Sequence, residues 1–143
     1  MTNLLNLTCC SNNLTELPTK FNCIHLRKLF CANNKLTELS EIFDKLINLY
    51  LLDLSHNNLI KLPTSLGNCI DLIEFNCSFN KLEELPLSIV ELKKLEIMAY
   101  DINMQLPVIL QQFVKEIYDR PDTKYDSERE YDNYHCGNPF KTY

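Results

Sequence analysis

The chain has 143 residues, of which 45% are hydrophobic and 23% charged, and its formal net charge is -5. This length suits one domain and a tail, and the composition is that of a globular protein rather than a disordered one. The acidic balance argues against nucleic acid as a partner, because phosphate binding needs a positive surface. No stretch approaches the roughly 20 consecutive apolar residues of a membrane-spanning helix, so we expect no membrane partner.

A repeated pattern of leucines begins near the N-terminus. The first copy is one residue shorter than the next ones and has its key positions at Leu4, Leu7, Cys9, Asn12, Leu14 and Leu17. The period then becomes 23 residues, with copies that start at Leu26, Leu49, Leu72 and Leu95. In the fifth copy Gln105 replaces an expected apolar residue. We therefore predict four complete copies and an incomplete fifth.

Each copy alternates apolar and polar residues around its second leucine, which predicts a short strand with one buried face. One copy cannot bury its apolar stripe alone, so successive copies should stack their strands in parallel. The segments 64–68 and 87–91 predict turns or 3₁₀ helices on the convex side, with Leu66 and Ile89 inward. An asparagine recurs once per copy and should bond backbone groups of a tight turn; these residues are Asn12, Asn34, Asn57, Asn80 and Asn103.

The sequence changes character after the repeats. Residues 107–119 have apolar side chains at helical spacing and Pro107 in the favoured first position, which predicts a helix that caps the last copy. Beyond it the chain is acidic, rich in tyrosine and poor in aliphatic residues, so we expect it to be flexible. The predicted organisation is a repeat solenoid over 1–106, a capping helix over 107–119 and a flexible tail over 120–143.

The recurring pattern LxxLxLxxNxLxxLPxxIxxL resembles the leucine-rich repeat, in the 23-residue form of intracellular Ras-group signalling scaffolds. The resemblance covers about Leu4 to Leu106. It implies an α/β leucine-rich-repeat solenoid with a short parallel sheet on the concave face, 3₁₀ or irregular convex segments and a C-terminal capping helix. It also implies that a protein partner binds on the concave face.

The seven cysteines offer candidate chemistry. An odd number without a secretory signal indicates reduced thiols in the cytoplasm. Cys9, Cys31 and Cys77 share one inward column, which suggests a metal array or a redox relay. However, Leu54 interrupts the column and no CxxC spacing is present, so we interpret them as core residues. His135 and Cys136 in the tail are a weak metal site. We predict no cofactor and no metal site.

The concave face is the predicted binding surface, because residues that alternate with the inward columns face solvent there. Apolar anchors on it would dock a partner, and acidic residues between them would pair with a basic group. The alternative is that these are scattered surface hydrophobes, which are common. The predicted partner-binding residues are Lys28, Phe30, Leu51, Asp53, His56, Glu74, Asn76, Phe79 and Ile97.

No nucleophile, base and oxyanion site can be assembled from these residues, so we predict that the chain is not an enzyme. The predicted function is that of a cytoplasmic scaffold, a non-catalytic module for protein-protein interaction. Two alternatives stay open. The first is a structural protein that self-associates through its uncapped N-terminal edge. The second is a decoy or regulator of a signalling enzyme.

Overall fold

The structure is a computed structural model and describes residues 3–18 and 22–120. Within this part of the chain the strands form one sheet in sequence order, and each pair of neighbours is parallel. The strands are β1 (Asn6–Thr8), β2 (Lys28–Phe30), β3 (Leu51–Asp53), β4 (Glu74–Asn76) and β5 (Ile97–Ala99). The predicted parallel sheet with one strand per copy is therefore confirmed.

The strands pair in a register that follows the sequence repeat. Leu29 is aligned with Leu7 on one side and with Leu52 on the other, and Leu52 is aligned with Phe75. Because side chains alternate between the two faces of a strand, equivalent residues of successive copies form columns on either face. The column through Leu29, Leu52 and Phe75 is completely buried. The inward side chains of successive copies thus form a continuous apolar surface on the inner side of the sheet.

Three 3₁₀ helices on the convex side close the core opposite the sheet, at Glu41–Lys45, Thr64–Asn68 and Leu87–Glu91. The latter two lie where the sequence predicts them, and Leu66 and Ile89 are fully buried as expected. Gly67 allows two of these helices to approach closely. A Cβ atom built there would lie 2.5 Å from the backbone oxygen of Ser88.

The asparagine column bonds the turns that follow the strands. The side-chain nitrogen of Asn57 donates to three backbone oxygens at 3.0–3.2 Å, those of Cys31, Leu54 and Ser55. Its oxygen accepts a hydrogen bond of 3.0 Å from the backbone N–H of Leu36. Asn34 and Asn80 are bonded in the same way. Each of these side chains therefore ties its own copy to the preceding one.

The predicted capping helix is present as α1 (Val108–Tyr118). Pro107 is its N-cap rather than its first helical residue, a difference of one position. The buried face of α1 consists of Leu110, Phe113, Val114 and Ile117. The hydroxyl of Tyr118 donates to the backbone oxygen of Met98, and α1 contacts β5 and the 3₁₀ helix Leu87–Glu91. The helix thus covers the last turn of the solenoid.

The core is one continuous apolar cluster that extends from Leu17 to Ile117. Five cysteines in the described ranges are not in disulfide bonds, namely Cys9, Cys23, Cys31, Cys69 and Cys77. All but Cys9 are buried, which agrees with their interpretation as core residues. Cys10 is disulfide-bonded, so the prediction of reduced thiols is wrong for that residue. The tail predicted over 120–143, with His135 and Cys136, lies outside the described residues except for Arg120.

Candidate functional site

The sheet brings the predicted partner-binding residues together, but it exposes them unequally. His56 and Phe79 are exposed, whereas Lys28, Glu74 and Ile97 are half-buried. The remaining four are buried, namely Phe30, Leu51, Asp53 and Asn76. The accessible part of the predicted site is therefore smaller than the sequence suggested, and it lies towards the end of the strands.

Phe30 and Leu51 were expected to be exposed anchors, and this expectation is wrong. Their side chains are only 5% and 7% exposed. Part of this burial follows from the register, because Leu51 lies between Lys28 and Glu74 of the adjacent strands. Neighbouring strands are about 4.8 Å apart, so side chains of one column shield each other. Neither residue offers a large apolar surface to a partner.

Asp53 and Asn76 have a structural role that the sequence analysis missed. The Oδ1 atom of Asp53 accepts hydrogen bonds from the backbone N–H of Ser55 at 3.0 Å and from its hydroxyl at 2.7 Å. Asn76 bonds Ser78 in the same manner at 3.1 and 2.7 Å. The repeated spacing of an acceptor and a serine two residues later was the available signal. Asp53 therefore stabilises its own turn, and its carboxylate does not extend towards a basic group of a partner.

Exposed side chains form a row just beyond the strands, which we call the rim row: His56, Phe79 and Ile102. These residues occupy the same position in three successive copies, 23 residues apart. The rings of His56 and Phe79 are stacked, with centroids 4.3 Å apart and planes 9° from parallel. Phe79 is 60% exposed and Ile102 is 91% exposed. Ile102 was not among the predicted residues, although its spacing from Phe79 indicated the position.

The backbone at two residues of the rim row is in the left-handed conformation. His56 and Phe79 have φ angles of 53° and 56°, and Asn33 has 56° at the equivalent place in the second copy. Asparagine and histidine tolerate this left-handed region, whereas phenylalanine there costs roughly 1–2 kcal/mol. Backbone hydrogen bonds between copies hold the turn, such as that from His56 N–H to the Ser78 oxygen at 3.1 Å. Strain of this kind concentrates at functional positions.

Half-buried charges lie in the column formed by the first residues of the strands, at the opposite end of the strands from the rim row. The ammonium group of Lys28 lies 5.6 Å from the centre of the Tyr50 ring, within range of a cation-π contact. The same column continues through Leu51 to Glu74 and then to Ile97. The concave face therefore offers a mixture of one cation, one carboxylate and apolar carbon rather than a field of a single sign.

Two thiols are in contact at the N-terminal end of the sheet. The sulfur atoms of Cys9 and Cys31 are 3.0 Å apart. The hydrogen bond from Cys31 lowers the pKa of Cys9, and the same bond together with burial raises the pKa of Cys31. In the part of the chain that the structure describes, no three ligating side chains converge on a metal site. In the same ranges, no helix is long and apolar enough to cross a membrane.

No protein-family model and no curated protein matches the chain. Among solved structures it resembles the leucine-rich-repeat protein LIC12759 of Leptospira interrogans, with a TM-score of 0.65 and 27% identity. That match covers 78% of this chain and 28% of the other. It also resembles a functional domain of InlJ from Listeria monocytogenes that includes a cysteine ladder, with a TM-score of 0.52 and 26% identity over 68% of this chain and 25% of that one.

The chain thus spans about a quarter of the length of either structure that it matches. The likeness to the Leptospira protein covers most of this chain. Taken together with the 23-residue period, the parallel sheet with one strand per copy and the bonded asparagine column, this similarity shows that the chain has the leucine-rich-repeat solenoid fold.

Proposed function

We propose that this protein is a non-catalytic interaction module that binds a protein partner on its concave face, with the rim row as the principal contact. One observation carries the proposal. Two aromatic rings are stacked and held in solvent by a strained backbone, and a nearly fully exposed isoleucine follows in the next copy. Exposed apolar side chains next to polar ones are typical of binding surfaces, where a few anchors supply most of the affinity.

The size of the sheet supports the inclusion of the rim row in the site. Five strands about 4.8 Å apart, each of three residues that rise about 3.3 Å, give a sheet of about 200 Å². A standard interface takes about 800 Å² from each partner. A partner that reached only the floor of the sheet would therefore be weakly bound. Contacts with the rim row enlarge the surface on the side where His56, Phe79 and Ile102 are accessible.

The chemistry of the site favours a partner segment with an apolar residue beside a basic one. The exposed face of the Phe79 ring can accept an apolar side chain or a guanidinium group. Glu74 is half-buried at the start of β4, at the other end of that strand, and the chain as a whole carries a net charge of -5. A basic group on the partner would thus be attracted at long range and then held locally.

The test is an affinity capture from cell lysate followed by a binding measurement with the purified partner. The site variant combines Phe79→Asn and Ile102→Asn, and asparagine at position 79 copies the residue found at Asn33. The control is Ile70→Asn on the convex side, because Ile70 is exposed to nearly the same extent as Phe79. We expect the site variant to weaken binding at least tenfold and the control to leave it unchanged.

Circular dichroism and melting curves must first show that both variants are folded. Equal binding by the wild type and the site variant would refute the rim row as the contact. Loss of binding by Ile70→Asn alone would instead place the contact on the convex side. A protein retained by all three variants is background and does not support the proposal.

A structural, self-associating role is the alternative that one observation favours. Among the described residues, no strand pairs with the outer edge of β1, and Leu7 in that strand is only half-buried. An open strand edge next to apolar side chains is a surface on which another copy can add. Sedimentation velocity at several concentrations tests this role. An average mass that increases with protein concentration in the wild type but not in Leu7→Lys would support this role. A constant monomer mass would rule it out.

We further propose a cytoplasmic scaffold of the Ras-group type, with the solenoid, capping helix and tail as predicted from the sequence. The free thiols of the core are compatible with a reducing compartment. Cell fractionation with an epitope-tagged chain tests the location. If the captured partner is a signalling enzyme, assay of that enzyme with and without the chain distinguishes a scaffold from a decoy, because a decoy lowers its activity.

A further inference from the structure

We propose that Cys9 and Cys31 form a dithiol site that a hydroperoxide oxidises to a disulfide, which links the first copy of the repeat to the second. The proposal is independent of the rim row. It rests on the contact between the two sulfur atoms, which are 3.0 Å apart. A disulfide has a sulfur-sulfur distance of about 2.05 Å, so the side chains need to move by about one ångström to react.

The backbone already has the separation that a disulfide requires. Cys9 directly follows β1 and Cys31 directly follows β2, and the aligned pair before them is Thr8 and Phe30. The backbone N–H of Cys9 donates to the Phe30 oxygen at 2.8 Å, so the ladder continues to the cysteines. Adjacent strands are about 4.8 Å apart, and disulfides join Cα atoms about 4.4–6.8 Å apart. No movement of the strands is needed.

The two thiols differ in a way that assigns their roles. Cys9 is half-buried and can be reached from solvent, whereas Cys31 is fully buried beneath it. The hydrogen bond between them lowers the pKa of Cys9 and raises that of Cys31. An accessible thiol of lowered pKa beside a second thiol is the arrangement found in peroxide-sensing pairs. Cys9 is therefore the attacking thiol and Cys31 the resolving one.

The reaction proceeds in two steps. The Cys9 thiolate attacks one oxygen of hydrogen peroxide, the O–O bond breaks, and Cys9 becomes a sulfenic acid while the released hydroxide takes a proton to form water. The sulfur of Cys31 then loses its proton and attacks the Cys9 sulfur. The S–O bond breaks, a second water leaves, and the S–S bond forms. Two thiols are oxidised, one peroxide is reduced, and a dithiol reductant reverses the change.

Cys77 is a control within the same column. Leu54 separates it from Cys31, and its thiol donates to the backbone oxygen of Ala99 at 3.4 Å instead of to another thiol. Burial is the main cause that raises the pKa of Cys77, and the charge of Asp101 raises it further. Cys77 has the same position in its repeat as Cys31, but among the described residues its thiol bonds a backbone oxygen rather than a second thiol. It should therefore resist peroxide under conditions that oxidise Cys9.

The experiment treats the reduced full chain with a slight excess of hydrogen peroxide and maps disulfides by mass spectrometry without reduction. The variants are Cys9→Ser, Cys31→Ser and Cys77→Ser, each also made with Cys10→Ser because Cys10 lies next to Cys9. We expect a Cys9–Cys31 link in the wild type and in Cys77→Ser. We expect no such link in the other two, and a sulfenic acid at Cys9 that dimedone traps in Cys31→Ser.

The link should also raise the melting temperature by several degrees, reversibly on reduction, because it closes a loop across the first two copies. Absence of the link in the wild type under conditions that oxidise a model peptide thiol would overturn the proposal. Links that join Cys9 to other cysteines as often as to Cys31 would overturn it as well. The wild type and Cys77→Ser decide the question even if Cys9→Ser or Cys31→Ser fails to fold.

Discussion

The carboxylate of Asp101 accepts a hydrogen bond of 2.8 Å from the backbone N–H of Phe79. Its other oxygen accepts one of 3.2 Å from Asn80. In the preceding copy, the N–H groups of His56 and Asn57 donate instead to the backbone oxygens of Ser78 and Phe79. The side chain of Asp101 thus supplies the acceptors that the backbone of the next copy supplies at the preceding turn. The N–H groups of Phe79 and Asn80 are therefore both hydrogen-bonded where the ladder ends.

We expect Asp101→Ala to destabilise the protein by about 1–2 kcal/mol, because two backbone donors lose a charged acceptor. The free energy of unfolding in urea measures the effect. Asp71→Ala is the control, because Asp71 forms an exposed salt bridge of 2.5 Å with Lys94. Such pairs are worth less than about 1 kcal/mol. If both variants unfolded at the same urea concentration, the capping role of Asp101 would be wrong.

The hydrogen bonds of the asparagine column predict that replacing a buried asparagine with an apolar residue lowers the stability of the protein. Asn57→Leu removes three hydrogen bonds donated to the backbone and one accepted from it. Buried groups left unpaired cost about 1–3 kcal/mol each, so we expect a loss of at least 2 kcal/mol. Asn12→Leu is the matched control, since Asn12 is exposed and donates to Cys9 and Cys10 alone among described contacts. Chemical denaturation that showed equal losses would contradict this role.

The close approach at Gly67 predicts a steric effect. Gly67→Ala would place a Cβ atom 2.5 Å from the Ser88 oxygen, so the two 3₁₀ helices must separate. Overpacking of this kind costs about 1–3 kcal/mol, and we expect a lower melting temperature. Ser65→Ala in the same helix is the control. The Ser65 hydroxyl is buried without a hydrogen-bond partner in the described ranges, so its removal should be neutral or stabilising.

Buried thiols predict a loss of stability at alkaline pH. Burial, followed by the charge of Asp44, raises the pKa of Cys69 from 9.0 to about 12. The folded state therefore favours the protonated thiol, and the associated stability is complete below about pH 9 and lost as the pH rises towards 12. In Cys69→Ala the free energy of unfolding should fall less steeply with pH over this range. The slopes of the wild type and the variant should differ by up to about 1.4 kcal/mol per pH unit.

Asp44→Asn tests the smaller cause of the same shift. It removes the charge and keeps an oxygen that can accept the hydrogen bond of 2.6 Å from Asn68. We expect the slope to change in the same direction as in Cys69→Ala but by less. Unfolding is followed under a reductant so that no thiol is oxidised. Parallel curves for the wild type and Cys69→Ala would show that Cys69 does not titrate on unfolding.

The fold could be predicted from the sequence because the residues that determine it recur with a fixed period. Leucines spaced by 23 residues specify the register, and Leu66 and Ile89 mark the inward side of the convex helices. Exposure was harder to predict, because it depends on the neighbours of each side chain in adjacent copies. Phe30 and Leu51 alternate with inward residues as surface residues do, yet they are buried.

The rim row and the thiol pair depended on geometry that residue types do not encode. Phenylalanine does not favour the left-handed backbone that Phe79 shares with His56, so the stacking of the two rings was not predicted. The sequence analysis placed Cys9 and Cys31 in one column and discounted them because Leu54 interrupts it. Their contact depends on the first two strands alone, and an interruption in the third copy does not affect it.

The constant register from β2 to β5 makes the repeat a unit of construction. Residues 51–73 begin at the first residue of β3 and end just before the aligned first residue of β4. A second copy of this segment inserted after residue 73 would add one strand, one 3₁₀ helix and one bonded asparagine without changing any existing alignment. The array would grow by about 4.8 Å while α1 still closed its end. The length of the concave face can thus be adjusted one repeat at a time.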